Sequence, residues 1–182
     1  MADFEYRRAT VNDAAEIAAI YAPYVRDTIV SFDTEAPDAA EIASRIERIG
    51  RQYPWLTASM DGRIVGYAYA CENRSRLAYR WSVDTAVYLD PSAQGQGVGS
   101  ALYRELFALL RAQGYVNAFA GIALPNDASV KLHEATGFTL IGVYRNVGYK
   151  LGAWRDVGWW QLALREPTQT PVDPIAIVDL NS

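Results

Sequence analysis

Three glycines fall within five residues at positions 95–99, between a strand-like segment and a helix-like one. Apolar residues alternate over residues 82–89, as in a β-strand, whereas those from Val98 to Leu110 recur at helical spacing before Gly114. Small residues at such a junction allow a ligand close to the backbone, and the unpaired N–H groups of the first helical turn attract anions. We therefore predict a strand–turn–helix unit that binds phosphate, rather than a loop that only reverses the chain.

The residues around this turn narrow the kind of phosphate ligand. A P-loop needs a lysine directly after its glycines, and none follows here. A dinucleotide-binding fingerprint needs a third glycine where Ser100 stands and an acidic residue about 20 positions further on, and both are missing. Both nucleotide-binding motifs are therefore disfavoured.

The rest of the pattern predicts one mixed α/β, or α+β, domain. The elements follow the order strand, two helices, three strands, helix, strand, helix, two strands, which implies one mixed sheet flanked by helices. Asp61-Gly62 indicates a hairpin, and Pro23 predicts a kink in the first helix. We expect a connection rich in glycine and tryptophan between the last two strands. The domain is assigned to residues 1–165, and the proline-containing polar segment 166–182 to a C-terminal tail.

Composition excludes several classes of protein. The 182 residues include 17 basic and 21 acidic side chains, and a net charge of −4 argues against a nucleic-acid binder. A single cysteine, Cys71, and a single histidine, His133, leave no internal disulfide and no multi-cysteine or paired-histidine metal site. No apolar stretch approaches the roughly 20 residues that a membrane helix requires. The first residues lack a signal-peptide pattern, so we expect a cytoplasmic protein without a metal.

The same residues carry a resemblance to a known family. Gln94-x-x-Gly97-x-Gly99 resembles the acetyl-CoA pyrophosphate signature of the GCN5-related N-acetyltransferases (GNAT), and Asn126 with residues 132–138 is similar to their next motif. Within this superfamily the chain most resembles the phosphinothricin and methionine sulfoximine acetyltransferases. That likeness extends from about residue 4 to residue 164, and its segments are 53–56, 66–70, 124–127, 129–135 and 152–158.

The resemblance implies a fold, a cofactor and a reaction. It implies a splayed mixed sheet of about seven strands, with acetyl-CoA held between strands 82–89 and 117–124. The expected reaction is direct acetylation of the α-amino group of phosphinothricin, methionine sulfoximine or methionine sulfone. It also implies a homodimer in which the closing hairpin contacts the partner. The implied cofactor-binding residues are Val87, Leu89, Gln94, Gly95, Gln96, Gly97, Val98, Gly99, Ser100 and Asn126.

Asp84 is the candidate base. An ammonium group must lose a proton before its nitrogen can attack a thioester, so the reaction needs a base. Aspartate is uncommon inside β-strands, and its position within strand 82–89 therefore indicates a functional role. The alternative is a structural carboxylate paired with a nearby arginine, for example Arg80. The phosphinothricin family usually has glutamate at this position. The shorter side chain is compatible with a bridging water, a weaker reaction or a changed substrate preference.

His133 is the second candidate catalytic residue. It lies seven residues after Asn126 and three after Val130, which places all three on about one helix face. Many superfamily members have a tyrosine here that protonates the departing thiolate, and histidine can act as acid or base near neutral pH. The alternative is a core histidine with satisfied hydrogen bonds.

Arg74 and Arg76 are the candidate substrate-binding residues. The resemblance places a basic pair in this loop, where guanidinium groups can bind a carboxylate or phosphinate in a bidentate manner. The alternative is that both are simply solvated. Phe32, Thr34 and Tyr79 are expected to line the same pocket. Packing is the preferred interpretation for Cys71 and for the tryptophans at 154, 159 and 160.

Two other functions remain open at this point. One is an acetyltransferase for another amine, such as a peptide N-terminus or a polyamine, although the two arginines oppose a cationic polyamine. The other is an acyl-CoA-binding sensor without turnover, which is left open because Asp84 stands where the family usually has glutamate.

Overall fold

The protein is described from a computed structural model, and the structure describes residues 3–180. The predicted order of elements is confirmed, with short 3₁₀ turns at Val11–Asp13, Leu77–Tyr79, Pro91–Ala93 and Ile177–Asp179. The helices are α1 (Ala14–Asp27), α2 (Ala39–Ile49), α3 (Val98–Gln113) and α4 (Asp127–Ala135). The strands are β1 (Glu5–Arg8), β2 (Trp55–Met60), β3 (Arg63–Glu72), β4 (Ser82–Leu89), β5 (Asn117–Leu124), β6 (Thr139–Lys150) and β7 (Ala153–Ala163).

The seven strands form one mixed sheet in the order β1-β2-β3-β4-β5-β7-β6. All neighbours are antiparallel except β4 and β5, which pair in parallel. This parallel pairing covers only Ser82 with Asn117, Val83 with Ala118 and Asp84 with Phe119. Beyond Asp84 the two strands run on without pairing. The sheet is therefore splayed in its middle, as the resemblance implied.

Each face of the sheet has its own apolar core. On one face α3 and α4 cover β-strand side chains, with Leu102, Leu106 and Leu110 fully buried. On the other face α1 and α2 bury Ile17, Val25 and Ile42 against β2 and β3. Complete burial of one such leucine or isoleucine contributes roughly 2–3 kcal/mol.

The helix starts follow local capping chemistry. The Asp13 carboxylate accepts a hydrogen bond from the Thr10 backbone N–H at 2.7 Å. Both of its oxygens also accept from the Arg7 guanidinium at 2.7 Å, in a bidentate ion pair. Asp38 caps α2 by accepting the Glu41 N–H at 2.8 Å. Helix α1 continues through Pro23 to Asp27, although the sequence pattern predicted an interruption there.

The connection between the last two strands differs from the prediction. The strands are longer than expected and are joined by a two-residue turn, Leu151-Gly152, with φ of 49° and 74°. Trp154, which was expected in the connection, lies on β7, together with Trp159 and Trp160, which were expected in the last strand. Gly158 lies inside β7, and a Cβ there would lie 2.7 Å from Trp160 Cη2 and closer still to Cζ3, so this glycine permits a close approach of the ring.

Part of the segment after residue 165 packs on the domain. Ile177 is 1% exposed, its N–H donates to the Gln52 carbonyl at 3.1 Å, and the Ile175 N–H donates to the Gln113 carbonyl at 2.9 Å. The Val172 carbonyl accepts from Trp81 Nε1 at 2.8 Å. Among residues 3–180, no helix is long and apolar enough to cross a membrane, and no three His, Cys, Asp or Glu side chains are grouped as metal ligands.

Candidate active site

The glycine turn adopts a conformation that opens the N-terminus of α3 to a ligand. Gly95 and Gly97 have φ of 72° and 81°, and an added Cβ at either would meet nothing within 4 Å. Helical hydrogen bonding begins at Ala101, whose N–H donates to the Gly97 carbonyl at 3.0 Å. The preceding N–H groups are therefore free to hold an anion, as expected from the sequence.

This turn forms one end of a cleft of about 430 Å³ between α3, α4 and β4. Nine of the ten implied cofactor residues line it: Val87, Leu89, Gln94, Gly95, Gly97, Val98, Gly99, Ser100 and Asn126. Gln96 does not line the cleft, because its amide folds back to donate to the Ser92 carbonyl at 2.5 Å. The sequence reasoning missed Tyr24, Val30, Ala128, Ser129, Lys131 and Leu132, which also line the cleft.

The residues of the cleft fit acetyl-CoA. The free N–H groups and the Lys131 cation suit a pyrophosphate, whereas Val87, Leu89 and Leu132 give an apolar wall for the pantetheine arm. Asn126 Oδ1 accepts the Ser129 N–H at 3.2 Å and so caps α4, which leaves the Asn126 amide nitrogen as a donor for a ligand.

A second cavity, of about 550 Å³, lies on the opposite face of the sheet. Its walls come from α1, the α1–α2 connection and strands β4 to β7. The lining residues are Tyr21, Val30, Ser31, Phe32, Asp33, Tyr88, Gly121, Ala123, Tyr144, Val147, Val157 and Trp159. A small pocket bordered by Thr85, Val87, Tyr88, Gly121 and His133 shares residues with both spaces. The cleft and the cavity therefore meet where β4 and β5 part.

Asp84 is the last paired residue of β4 before the strands part. Strand alternation puts it on the same face as Tyr88, which lines the cavity, although Asp84 itself lines neither space. Burial raises the pKa of Asp84 to about 6, while a hydrogen bond from Asn73 and the charge of Arg74 act in the opposite direction. The Asn73 amide donates to Asp84 Oδ1 at 2.5 Å. Sequence reasoning missed Asn73, which no local pattern marks.

The proposed pairing of Asp84 with Arg80 is wrong. The Arg80 guanidinium donates to both carboxylate oxygens of Asp173 at 2.9 and 2.8 Å and lies over the Trp81 ring. Within residues 3–180, the only side chain found to form a hydrogen bond with the Asp84 carboxylate is therefore the neutral amide of Asn73.

His133 has the geometry of a hydrogen-bonded core histidine that borders the site. It is 4% exposed, its Nδ1 lies 2.7 Å from the Ser129 carbonyl, and its Nε2 lies 2.8 Å from the Tyr103 hydroxyl. Because a carbonyl can only accept, Nδ1 carries the proton and Nε2 accepts from Tyr103. Burial lowers the pKa of His133, so the ring is neutral at pH 7.

The candidate substrate residues are only partly brought together. The Arg74 guanidinium lies 5.5 Å from the centre of the Trp159 ring, which lines the cavity, and donates to the Asn73 carbonyl at 2.7 Å. Phe32 lines the cavity and is 39% exposed. The other three expected residues, Arg76, Tyr79 and Thr34, are exposed and outside its lining.

Sequence reasoning also missed residues that long-range contacts bring to the cavity. Tyr21, Tyr88 and Trp159 line it, although only Trp159 was considered in the sequence, and then as a packing residue. Their only sequence signal is an aromatic side chain at an inward-facing position, which core residues share.

A cleft suited to phosphate lies beside a separate cavity, and the two spaces meet where the sheet is splayed. A carboxylate of raised pKa lies beside this junction. These features are typical of a two-substrate group-transfer enzyme. The chain matches the family described as "Acetyltransferase (GNAT) domain" over residues 7–159. It belongs to this family and is an N-acetyltransferase that uses acetyl-CoA.

Several proteins with named activities are similar to this chain over nearly its full length. The phosphinothricin N-acetyltransferase of Streptomyces viridochromogenes is 42% identical over 172 residues, 94% of each chain. The L-methionine sulfoximine/L-methionine sulfone acetyltransferase of Salmonella typhimurium is 34% identical over 88% of this chain and 94% of its own. The crystal structure of a phosphinothricin acetyltransferase from Sinorhizobium meliloti with acetyl-CoA has a TM-score of 0.89 and 36% identity, covering 94% of this chain and 95% of that one.

Proposed function

We propose that this N-acetyltransferase acetylates the α-amino group of small amino acids of the phosphinothricin, methionine sulfoximine and methionine sulfone type. The observation that carries the proposal is the 550 Å³ cavity that meets the acetyl-CoA cleft where β4 and β5 part. Its size suits one small molecule rather than a folded protein surface. The named activities of the similar relatives support the same substrate class.

Asp84 is proposed as the base. Bound acetyl-CoA supplies an activated acetyl thioester. With a pKa of about 6, Asp84 is about nine-tenths ionised at pH 7 and accepts a proton more readily than an ordinary aspartate. It takes the proton of the α-ammonium group, directly or through one water, and so frees the nitrogen lone pair. The nitrogen attacks the acetyl carbonyl carbon, and the C–N bond forms as the C–S bond breaks. The second proton of the amine passes to the departing coenzyme A thiolate, while Asp84 holds the first.

Arg74 is proposed to attract the carboxylate of the amino acid. Its guanidinium is held over Trp159 at the edge of the cavity, and its positive charge would repel a polyamine. Arg76 and Tyr79 belong to the same exposed segment and are proposed to close on the substrate from the cavity mouth. Phe32 is proposed to contact the substrate side chain.

His133 is proposed to position α4 rather than to transfer a proton. Its Nδ1 proton is held by Ser129, and its Nε2 is occupied by the Tyr103 hydroxyl. It thereby joins α4 to α3 beside the cleft, and Ser129 lines that cleft.

The β6–β7 hairpin is proposed to form a homodimer interface. It carries exposed apolar side chains on the last strands of the sheet, and these are Leu140, Ile141, Tyr144, Val147, Tyr149, Leu151 and Trp154. Each of them is at least half exposed in the single chain, and this number of exposed apolar side chains on one hairpin is typical of an interface, although Tyr144 and Val147 also line the substrate cavity. A cytoplasmic location is proposed on the basis of the acetyl-CoA requirement.

Thiol release from acetyl-CoA tests the substrate class. The panel is L-phosphinothricin, L-methionine sulfoximine, L-methionine sulfone, spermidine and a peptide with a free N-terminus. Saturable release confined to the three amino acids is expected. Release only with spermidine or the peptide would overturn the substrate, and silence on the whole panel with acetyl-CoA still bound would favour a sensor.

A further inference from the structure

The connection between α1 and α2 forms one wall of the substrate cavity without any regular structure of its own. Its residues 30–33 line the cavity, and no helix or strand is found between Asp27 and Ala39. Local backbone hydrogen bonding therefore does not fix this wall. Within the connection, the Val30 and Asp33 N–H groups donate to the hydroxyls of Thr28 and Ser31 at 3.1 Å, and side chains from other elements supply further contacts.

Lys150, the last residue of β6, provides one of these contacts. It is 9% exposed, and its Nζ donates to the Ser31 carbonyl. No carboxylate within residues 3–180 forms an ion pair with it. Burying an ammonium group against one carbonyl is unfavourable compared with burying an apolar side chain, so stability alone does not account for this lysine.

The neighbouring residues hold the same wall from the α1 side. The Tyr21 hydroxyl lies 2.6 Å from Ser31 Oγ and donates to Asp33 at 2.9 Å. Arg45 of α2 contacts the same Asp33 carboxylate at 3.4 Å. Phe32, between these two anchored residues, is thereby directed toward β6.

Gly148 of β6 receives the Phe32 ring. A Cβ at position 148 would lie 2.8 Å from Phe32 Cδ2 and 3.0 Å from Cζ, and closer still to Cε2. A real Cβ does not tolerate such contacts, so the ring occupies the space that the glycine provides. Strand β6 thus contacts the wall at two positions, through a donor at 150 and through a missing side chain at 148.

We propose that Lys150 is a positioning residue for the substrate wall and that the Gly148–Phe32 contact determines which amino-acid side chains the cavity accepts. This inference rests on the proposed function, because it assigns the cavity to an amino-acid substrate. Neither Lys150 nor Gly148 lines the acetyl-CoA cleft, and of the wall residues 30–33 only Val30 does, so the main effect is expected on the amino-acid substrate.

The first test compares Lys150→Met with Lys150→Arg. Lys150→Met keeps an unbranched side chain but removes the donor, and we expect the KM for the amino acid to rise about tenfold with the KM for acetyl-CoA unchanged within about twofold. Lys150→Arg retains a donor and should recover most of the loss. Arg104→Met, which removes an exposed cation from α3, is the matched control and should leave both KM values unchanged. Equal rises in both KM values, or no change in either, would overturn the positioning role.

The second test is a double-mutant cycle on the glycine contact. Gly148→Ala should change the ratio of kcat/KM between phosphinothricin and methionine sulfone by more than about threefold, because the ring must move. If this effect passes through Phe32, the double variant Phe32→Ala/Gly148→Ala should match Phe32→Ala within about twofold. Independent, multiplying effects of the two substitutions would refute the proposed contact.

Hydrogen–deuterium exchange separates this inference from the substrate assignment, since it needs no substrate. Peptides covering residues 28–35 should exchange about tenfold faster in Lys150→Met than in the wild-type chain or in Arg104→Met. Unchanged exchange would refute the Lys150 anchor even if the enzyme acetylates the amino acids. Faster exchange together with no wild-type turnover on any amino acid would support the anchor and refute the proposed function.

Discussion

Asp84→Asn replaces the proposed base with an amide of nearly the same shape. The amide oxygen can still accept the Asn73 hydrogen bond that Asp84 Oδ1 accepts at 2.5 Å, so the local packing is preserved. Loss of a general base lowers kcat typically by about 10²–10⁴-fold. Affinity for acetyl-CoA should stay within about twofold, because Asp84 does not line the cofactor cleft.

The same substitution should stabilise the fold at neutral pH. The folded-state pKa of Asp84 is raised from 3.8 to about 6, so the folded state binds this proton more tightly than the unfolded state. Stability from this group is complete below pH 3.8 and is lost as the pH rises through about 6. A shift of this size corresponds to about 3 kcal/mol at pH 7, an upper bound because the side chain is partly exposed. Asp84→Asn does not incur this loss.

Steady-state kinetics and thermal unfolding between pH 4 and pH 8 check both effects. For the wild-type enzyme, kcat/KM should rise with pH through about 6. Asp84→Asn should lose that dependence, and its Tm should exceed the wild-type Tm at pH 7 but not at pH 4. Asp84→Glu is the matched carboxylate control and should retain a titrating rate. Wild-type turnover in Asp84→Asn would remove Asp84 from the mechanism, and a lower Tm at pH 7 would refute the argument from burial.

Three further predictions address the cofactor cleft, the substrate-binding residues and the interface. Gly97→Glu should abolish acetyl-CoA binding, measured by calorimetry, because it places a bulky negative side chain in the phosphate-binding turn. Gly62→Glu is the control, since Gly62 is equally open and has φ of 75°, so it carries the same backbone strain and should bind acetyl-CoA normally. Equal losses of binding in the two variants would attribute the effect to strain. Arg74→Met should raise the KM for the amino acid about tenfold and leave the KM for acetyl-CoA unchanged, and equal effects on both would refute a carboxylate contact. Trp154→Glu should convert a dimer into a 20.2 kDa monomer by light scattering, whereas Val172→Glu, 85% exposed, should not; an unchanged mass would exclude the hairpin as the interface.

The strand–turn–helix unit could be predicted because its signals are local. Glycines at 95 and 97 need left-handed backbone, and the sequence marks such positions directly. The alternation over residues 82–89 likewise predicted strand β4 with its observed bounds. The family motifs placed nine cofactor residues in the cleft for the same reason, since they belong to one continuous stretch and one helix start.

The substrate cavity could not be predicted in the same way, because its walls come from distant parts of the chain. Asn73 reaches Asp84 only through the β3–β4 register, in which Cys71 lies opposite Asp84. Gly148 was predicted to lie in the connection between the last two strands, but it lies inside β6, where it admits the Phe32 ring. Arg80 was expected to pair with Asp84. It pairs instead with Asp173, which lies 93 residues after Arg80 along the chain, so no local pattern reveals that contact.

The three-residue pairing of β4 with β5 leaves two strand edges unpaired inside the protein rather than at its rim. Each additional rung between them would add backbone hydrogen bonds, and would narrow the opening through which the two substrates meet. A variant whose ladder continued past Asp84 should therefore gain stability and lose turnover together. The sheet is incomplete at the place where we propose that the reaction occurs, and this gap in its hydrogen bonding is the proposed passage between the two substrates.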